Sequence, residues 1–296
     1  MSIKLDTYRI FVEVAKWKSF SKAAKNLYIT QPAISQAINQ LEKELGTRLF
    51  TRTPRGVVLT NEGHVLFEYA SSAINLIDVG VTKLLESKKL MVGVLRIGVG
   101  DTISRYYLLP YLEKFHKEHP NIKLKIINRT TFEICDLLKF GEVDIGICNL
   151  PVEDADLRVE KLINIQDIFV CGEGYRHLLK KPLSFSHLAE LPLILLEPIS
   201  NSRQYVENYI LSKGVKIEPE IELGSHDLLL EFAKINLGIS CVVKEFSKDY
   251  LDKKIVYELK LEEKIPQRQI GACYLKTVTL SPAAMKFLEY LSPIDN

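Results

Sequence analysis

The stretch from Phe20 to Leu45, FSKAAKNLYITQPAISQAINQLEKEL, constrains this chain more than any other. Two short helical patterns flank Tyr28-Ile29-Thr30. Ala23, Ala24 and Leu27 give the first a small apolar side, which permits close helix crossing. In the second, Ile34, Ile38, Leu41 and Leu45 recur at spacings of 4, 3 and 4, the stripe of an α-helix. Thr30 is placed to N-cap that helix, and Pro32 falls in its first turn, where a missing N–H costs little. At about 100° per residue, the face opposite the stripe carries Pro32, Gln36, Asn39 and Lys43, flanked by Gln31 and Ser35, with no carboxylate before Glu42. Gln and Asn can pair bidentately with adenine in a major groove, and Ser can reach several base edges. This is the pattern of a helix-turn-helix with an outward reading face. The plainer alternative for these residues alone is a helical hairpin with a solvated side.

The next residues favour the reading face. Leu49-Phe50 leads into TRTPRGVVLT, where Pro54-Arg55-Gly56 is a turn with a basic tip between two short extended runs. That is a wing, and Arg52 and Arg55 are placed to meet phosphates or enter a minor groove. From Ser19 to Gly63 the sequence SFSKAAKNLYITQPAISQAINQLEKELGTRLFTRTPRGVVLTNEG resembles the amino-terminal domain of LysR-type transcriptional regulators, and the length and layout of the whole chain fit that family. Many members carry Arg where this chain has Gln36, so a cation is absent from that reading position.

Charge follows the same division. The net charge of +2 hides ten Lys or Arg against four Asp or Glu in residues 1–60, and 29 against 33 in the rest. A basic front on a mildly acidic body fits a nucleic-acid head on a soluble protein. The amphipathic start, MSIKLDTYRIFVEVA, does not read as a signal peptide, and no run approaches the roughly 18 apolar residues of a membrane span; a cytoplasmic protein is expected. The cysteines at 135, 148, 171, 241 and 273 are scattered, with no C-x-x-C and no metal spacing. Buried thiols are expected, with a redox pair involving Cys148 or Cys171 as the alternative.

Along the chain, a first helix is expected from Lys4 to Trp17, with Leu5, Tyr8, Phe11, Val12 and Ala15 for the core and Trp17 capping it. After the wing, a helical pattern runs from Thr60 to about Lys89. Leu66, Ala70, Ala73, Ile77, Val81 and Leu84 are spaced 4, 3, 4, 4 and 3, close to a heptad seam. A dimerising linker helix is expected, and the family resemblance implies the same, with a tetramer beyond it. Beyond a hinge at Lys88 to Gly93, strands alternate with helices, which implies a parallel α/β sheet. A continuous helix is expected from Ser104 to Lys117. GEVDIGI at Gly141 to Ile147 and NLGIS at Asn236 to Ser240 match the two-lobed, periplasmic-binding-protein-like domain of LysR regulators. The resemblance implies lobe I at about 92–163 and 268–296 and lobe II at about 164–267, with the chain crossing between them near Asn149 to Ile163 and near Lys264 to Arg268. Two departures stand out: the family often has Pro about where Val243 stands, and Tyr106-Tyr107 is one residue longer than usual before Leu108-Leu109-Pro110.

The expected whole is an α/β protein: a winged helix-turn-helix at 1–60, a linker helix at 61–90 and an effector domain at 91–296. Ligands of open α/β sheets sit beyond the carboxyl ends of the strands, where helix N-termini converge. That places Thr102, Ser104, Thr130, Thr131, Asn149, Ser200, Asn201 and His226 as effector-binding candidates, with Arg129 and Arg203 as the only near cations. Free N–H groups at helix starts favour an anionic small molecule. No nucleotide-binding or nucleophile-elbow motif follows a strand, so no catalytic residue, metal or cofactor is assigned. The partners expected are an operator in double-stranded DNA, a small-molecule effector and further copies of the chain, as homodimer or homotetramer; no membrane is expected. The resemblance implies activation or repression near its own promoter. The competing class is a ligand-binding or enzymatic α/β protein whose basic head docks to a partner.

Overall fold

A computed structural model describes residues 4–54, 56–87 and 93–291. The chain divides into two units, the first comprising Met1–Lys89 with the short segment Lys139–Glu142, the second the remainder. In the first, α1 (Leu5–Trp17), α2 (Phe20–Leu27) and α3 (Gln31–Leu45) precede a hairpin of β1 (Phe50–Thr53) and β2 (Gly56–Leu59), then α4 (Asn61–Ser87). Lys18, Tyr28 and Gly46 end the first three helices in the left-handed region, each turning the chain back on itself. Ser19 Oγ accepts from Lys22 N, and Thr30 Oγ1 from Ala33 N, so both later helices start on a side-chain cap. Phe11, Val12, Val14, Ile34, Ile38 and Leu41 fill the core, and the Phe50 ring meets Phe11 at 5.3 Å and Phe20 at 6.0 Å. Truncating one of these aliphatics to Ala costs about 2–5 kcal/mol. Leu5 and Trp17 do not join that core; both are exposed, and Trp17 Nε1 donates to Glu13 on its own helix. Val14 is buried beside Ala15, which packs half-buried against the same core as expected.

The second unit contains, among the described residues, two five-stranded sheets. The first lobe has β3 (Gly93–Val99), α5 (Asp101–Ile103), α6 (Leu109–Glu118), β4 (Ile122–Asn128), α7 (Thr131–Lys139), β5 (Ile145–Asn149) and β6 (Leu157–Ile165). The second lobe has β7 (Asp167–Cys171), α8 (Phe185–Ala189), β8 (Leu193–Leu196), α9 (Asn201–Ser212), β9 (Ile221–Leu223), α10 (His226–Lys234), β10 (Ile239–Val243), α11 (Lys248–Asp252) and β11 (Tyr257–Glu258). The chain then returns to the first lobe through β12 (Arg268–Leu275) and α12 (Pro282–Leu291). Strand orders are β4-β3-β5-β12-β6 and β11-β7-β10-β8-β9.

The sheets are mixed, not parallel as the alternation suggested. β12 runs antiparallel to β5 and β6, and β7 antiparallel to β10 and β11. These are the strands by which the chain enters each lobe from the other, so they point against strands fed by local helices. The stretch after Asn149, expected as a crossover, holds β6 of the first lobe. Its inward and outward positions do not alternate cleanly, which hides an edge strand from a period-2 reading. The crossing itself is Gln166, whose Nε2 donates to Ile265 O at 2.8 Å and so ties the two crossover segments together. The helix expected from Ser104 to Lys117 is present within a helical run from Asp101 to Glu118, and its Ser104–Leu108 part forms a π-turn, with Leu109 N donating to Ser104 O. A π-turn absorbs one extra residue without breaking the helix.

Candidate nucleic-acid interface and effector cleft

On α3 the apolar stripe is buried, and Gln31, Pro32, Gln36, Asn39 and Lys43 are exposed, with Ser35 half-buried. Gln31 is not wholly free: its Oε1 accepts from Ser21 Oγ at 2.9 Å, leaving its amide NH2 to point outward. Glu42 turns away from this face and accepts from Leu49 N and Phe50 N at 2.7 and 3.2 Å, fixing the hairpin against α3. The face therefore carries amides, a hydroxyl and a lysine without a competing carboxylate. The hairpin pairs Phe50 with Leu59 and Thr53 with Gly56. Arg55 and the Arg52 side chain lie outside the described residues. Tyr28, on the turn between α2 and α3, is 95% exposed.

The expected seam on α4 divides in two. Ala70 is buried and Leu66 half-buried in the core beneath α1, with Ile74 and Phe67; they are core residues of the head, not an open seam. Ala73, Ile77 (42% exposed) and Val81 do face outward, and so do Val65 and Tyr69 (74% exposed), which the reading left out. The Leu84 side chain lies outside the described residues. Arg9 on α1 pairs with Asp78 on α4 at 2.8 Å at the exposed edge of this packing.

In the second unit, the carboxyl ends of β3, β4, β5 and β8 surround a cleft of about 310 Å³ between the lobes. Thr102, Thr130, Thr131, Asn149, Ser200 and Asn201 all line it. Thr130 forms a capping box with Glu133, whose carboxylate is lowered by those hydrogen bonds. Thr131 is buried and accepts from Asn149 N at 3.3 Å, so its hydroxyl hydrogen is what remains for a ligand. Ser200 starts α9 without a side-chain cap, leaving first-turn N–H groups open to the cleft. Ser104 does not line the cleft; its hydroxyl is buried in the π-turn. His226 lies deeper, in a small chamber of about 30 Å³ that shares Thr102, Leu196, Ser202 and Val243 with the cleft.

Of the two expected cations, Arg129 lines the cleft, exposed, donating to Asn128 O and paired with Glu133. Arg203 is instead turned into its own lobe, bound to Glu207, Glu222 and Leu196 O at 2.7, 2.6 and 2.8 Å. The buried cation of the cleft is Arg268, which the sequence reading placed at a crossover and did not assign. It is 4% exposed, as is Asp167. Its Nε and Nη2 grip Asp167 at 2.6 and 2.9 Å, Nη2 also reaches Ser202 Oγ at 2.9 Å, and Nη1 donates to Asn149 Oδ1. One side chain thus joins the starts of β12 and β7, the end of β5 and the first turn of α9. The available signal was a charge heading an otherwise apolar strand twice over, in RQIGACYL and DIFVC.

A second contact spans the lobes. The π-turn presents Tyr106 and Arg105 to Asp227 on α10, with Arg105 Nη1 at 2.9 Å and the Tyr106 hydroxyl donating to the same carboxylate. Burial, and then the Asp227 hydrogen bond, push the Tyr106 phenol well up, keeping it a donor. The cysteines are free thiols, all but Cys241 buried. Hydrogen bonds with Cys135 and Cys273, together with burial, hold the Cys148 thiol well above its usual range, and burial lifts Cys171 to about 11. Such thiols stay protonated and poorly nucleophilic. No cluster of potential metal ligands occurs among the described residues. No described helix is long and apolar enough to cross a membrane.

Residues 5–64 match the bacterial regulatory helix-turn-helix domain of the lysR family, and residues 88–293 match the LysR substrate binding domain. A RuBisCO operon transcriptional regulator of Allochromatium vinosum is 27% identical over 292 residues, 98% of this chain and 96% of that one. The transcriptional regulator CysL of Bacillus subtilis is 25% identical over 84% of each chain. Among solved structures, a full-length OxyR variant from Pseudomonas aeruginosa superposes with a TM-score of 0.70 at 22% identity, over 98% of this chain and 94% of that one. CbnR in complex with its target DNA gives a TM-score of 0.65 at 18% identity, over 97% and 98%. At those identities the two structures establish the fold. With both its head and its larger domain matched, the chain belongs to the LysR family of transcriptional regulators.

Proposed function

We propose that this protein reads an operator through Gln31, Ser35, Gln36, Asn39 and Lys43 on α3, with Arg52 and Arg55 on the wing adding phosphate contacts. A small, singly or doubly negative metabolite in the inter-lobe cleft modulates that binding, and outward residues of α4 pair two protomers in the cytoplasm. The observation that carries the anionic reading is the meeting of the uncapped first turn of α9 with the Arg268 guanidinium at the cleft. Helix N-termini favour negative groups, while the Arg268 charge is already matched by Asp167, which argues against a polyphosphate. The mechanism is a population shift: a ligand touching both lobes favours one separation of the lobes, and the paired heads follow.

Two measurements test this. A gel shift against the DNA flanking its own gene, over a salt series, should show tight, steeply salt-dependent binding; absence of a specific complex at moderate salt would remove the operator reading. A thermal shift with a panel of metabolites should find acids that raise the melting temperature in a concentration-dependent way. Stabilisation confined to neutral or cationic compounds would refute the anionic effector.

A further inference from the structure

His226, which lines the chamber behind the cleft, carries a buried ring nitrogen that the protein leaves without a partner. His226 is 4% exposed, and its Nε2 accepts from Val243 N at 3.2 Å. An accepting Nε2 in a neutral ring places the proton on Nδ1. Nδ1 is buried and has no hydrogen-bond partner. Both carboxylates of this region are engaged elsewhere: Asp167 is held on both oxygens by Arg268, and Asp227 takes Tyr106 and Arg105. The ring cannot easily turn away: Tyr106 packs on it edge-to-face at 5.3 Å, and Phe246 at 6.3 Å. Tyr106 is itself stacked on Phe246 and bound to Asp227. Burial holds the imidazole down to about 4, so it stays an uncharged N–H donor at neutral pH. A proline at 243 would have no N–H to give, so the Val243 N–H is what defines the ring tautomer.

We infer that His226 reads a second oxygen of the effector: the ligand is a small organic acid whose acidic group lies in the open cleft while a further acceptor oxygen (carbonyl, hydroxyl or second carboxylate) enters the chamber and takes the Nδ1–H. This rests on the cleft being the effector site. The chamber, at about 30 Å³, admits one or two non-hydrogen atoms. Its walls are otherwise mostly apolar, with Leu195, Val206 and Val242 among them. A bare oxyanion held in the cleft, or an acid with an all-hydrocarbon body, leaves the donor unsatisfied, and a buried donor without a partner is costly.

The test uses the full-length protein and matched four-carbon probes: butanoate, 2-oxobutanoate, 3-hydroxybutanoate and butanedioate, with sulfate as the bare oxyanion. Thermal shift titrations should give at least one of the three oxygen-bearing acids half-saturation at about tenfold lower concentration than butanoate or sulfate. Long-range proton–nitrogen spectra of ring-labelled histidines should show the His226 Nδ1 signal moving with that acid and not with butanoate. His226→Phe should erase the preference; Val243→Pro, should the aromatic variant not fold, should blur the tautomer and reduce it. Acids that bind alike, or an unmoved Nδ1 signal, overturn the inference while binding that is lost in Ser202→Ala keeps the cleft as the effector site. If none of the probes binds, or binding is indifferent to both Ser202→Ala and Thr131→Val, the inference and the cleft reading fall together.

Discussion

Replacing Arg268 tests the construction of the effector domain most directly. The guanidinium and Asp167 are both nearly inaccessible, joined by two charge-assisted bonds of 2.6 and 2.9 Å, and Arg268 also serves Ser202 and Asn149. Arg268→Met fills much of the same volume but strands a buried carboxylate. Breaking one partner of a buried pair costs about 3–5 kcal/mol. For a domain of this size each kcal/mol moves the melting point by about 2–4 °C, so the effector-domain transition should fall by about 6–20 °C. Asp167→Leu should cost a similar amount by stranding the cation. The double variant Asp167→Leu/Arg268→Met removes both charges, and its loss should be smaller than either single loss, since a matched buried pair contributes little net stability beyond apolar side chains of similar size. Calorimetry on the four proteins gives the coupling energy. Additive single losses each under about 1 kcal/mol would show that the pair is solvated and not part of the frame.

Other substitutions separate the remaining roles. Ile77→Glu should weaken protomer pairing by about a hundredfold, because an unpaired carboxylate would be buried on assembly, whereas Ala70→Glu should unfold the head; sedimentation and circular dichroism distinguish the two, and an undisturbed dimer in Ile77→Glu would move the seam elsewhere. Gln36→Ala should relax preference at one or two base pairs per half-site at a cost of about 1–3 kcal/mol, while Arg55→Ala should lower the salt slope by about 0.9 per head without altering preference, both read by gel shift on an operator library. Thr131→Val should lose the ligand-dependent melting shift yet still bind DNA; an equal response in both proteins would leave Thr131 a structural residue only. His226 also predicts a pH signature: burial lowers it from 6.5 to about 4 in the native state, so the unfolded chain binds its proton first. Stability should therefore fall on acidification from about pH 6.5 to pH 4, by about 3 kcal/mol in total. His226→Gln should flatten that part of the profile, and an unchanged profile would mean the ring is protonated when folded.

The sequence alone carried what depends on local periodicity and local chemistry. The stripe of Ile34, Ile38 and Leu41, the Thr30 cap and the Pro-Arg-Gly turn each act within a few residues, so the head and its outward amides could be read before any contact was known. The same holds for most strands of the lobes and for the polar residues at their ends, six of which line the cleft. What the sequence could not supply are relations between distant residues. Leu66 and Ala70 fit a heptad as well as Ile77 does, and only the lie of α1 against α4 assigns them to the interior. β6 is an edge strand whose pattern does not alternate, and the mixed direction of the sheets follows from where the chain changes lobe. Arg268 and Asp167 are 101 residues apart; a buried charge is tolerable only beside its counter-charge, and nothing in either neighbourhood names the partner. His226 could be proposed from its place before a helix, but that its Nδ1–H is left unpaired depends on Val243, Asp167 and Tyr106 meeting around it, a condition created by tertiary packing because hydrogen-bond satisfaction is decided by everything within reach and not by the residues adjacent in the chain.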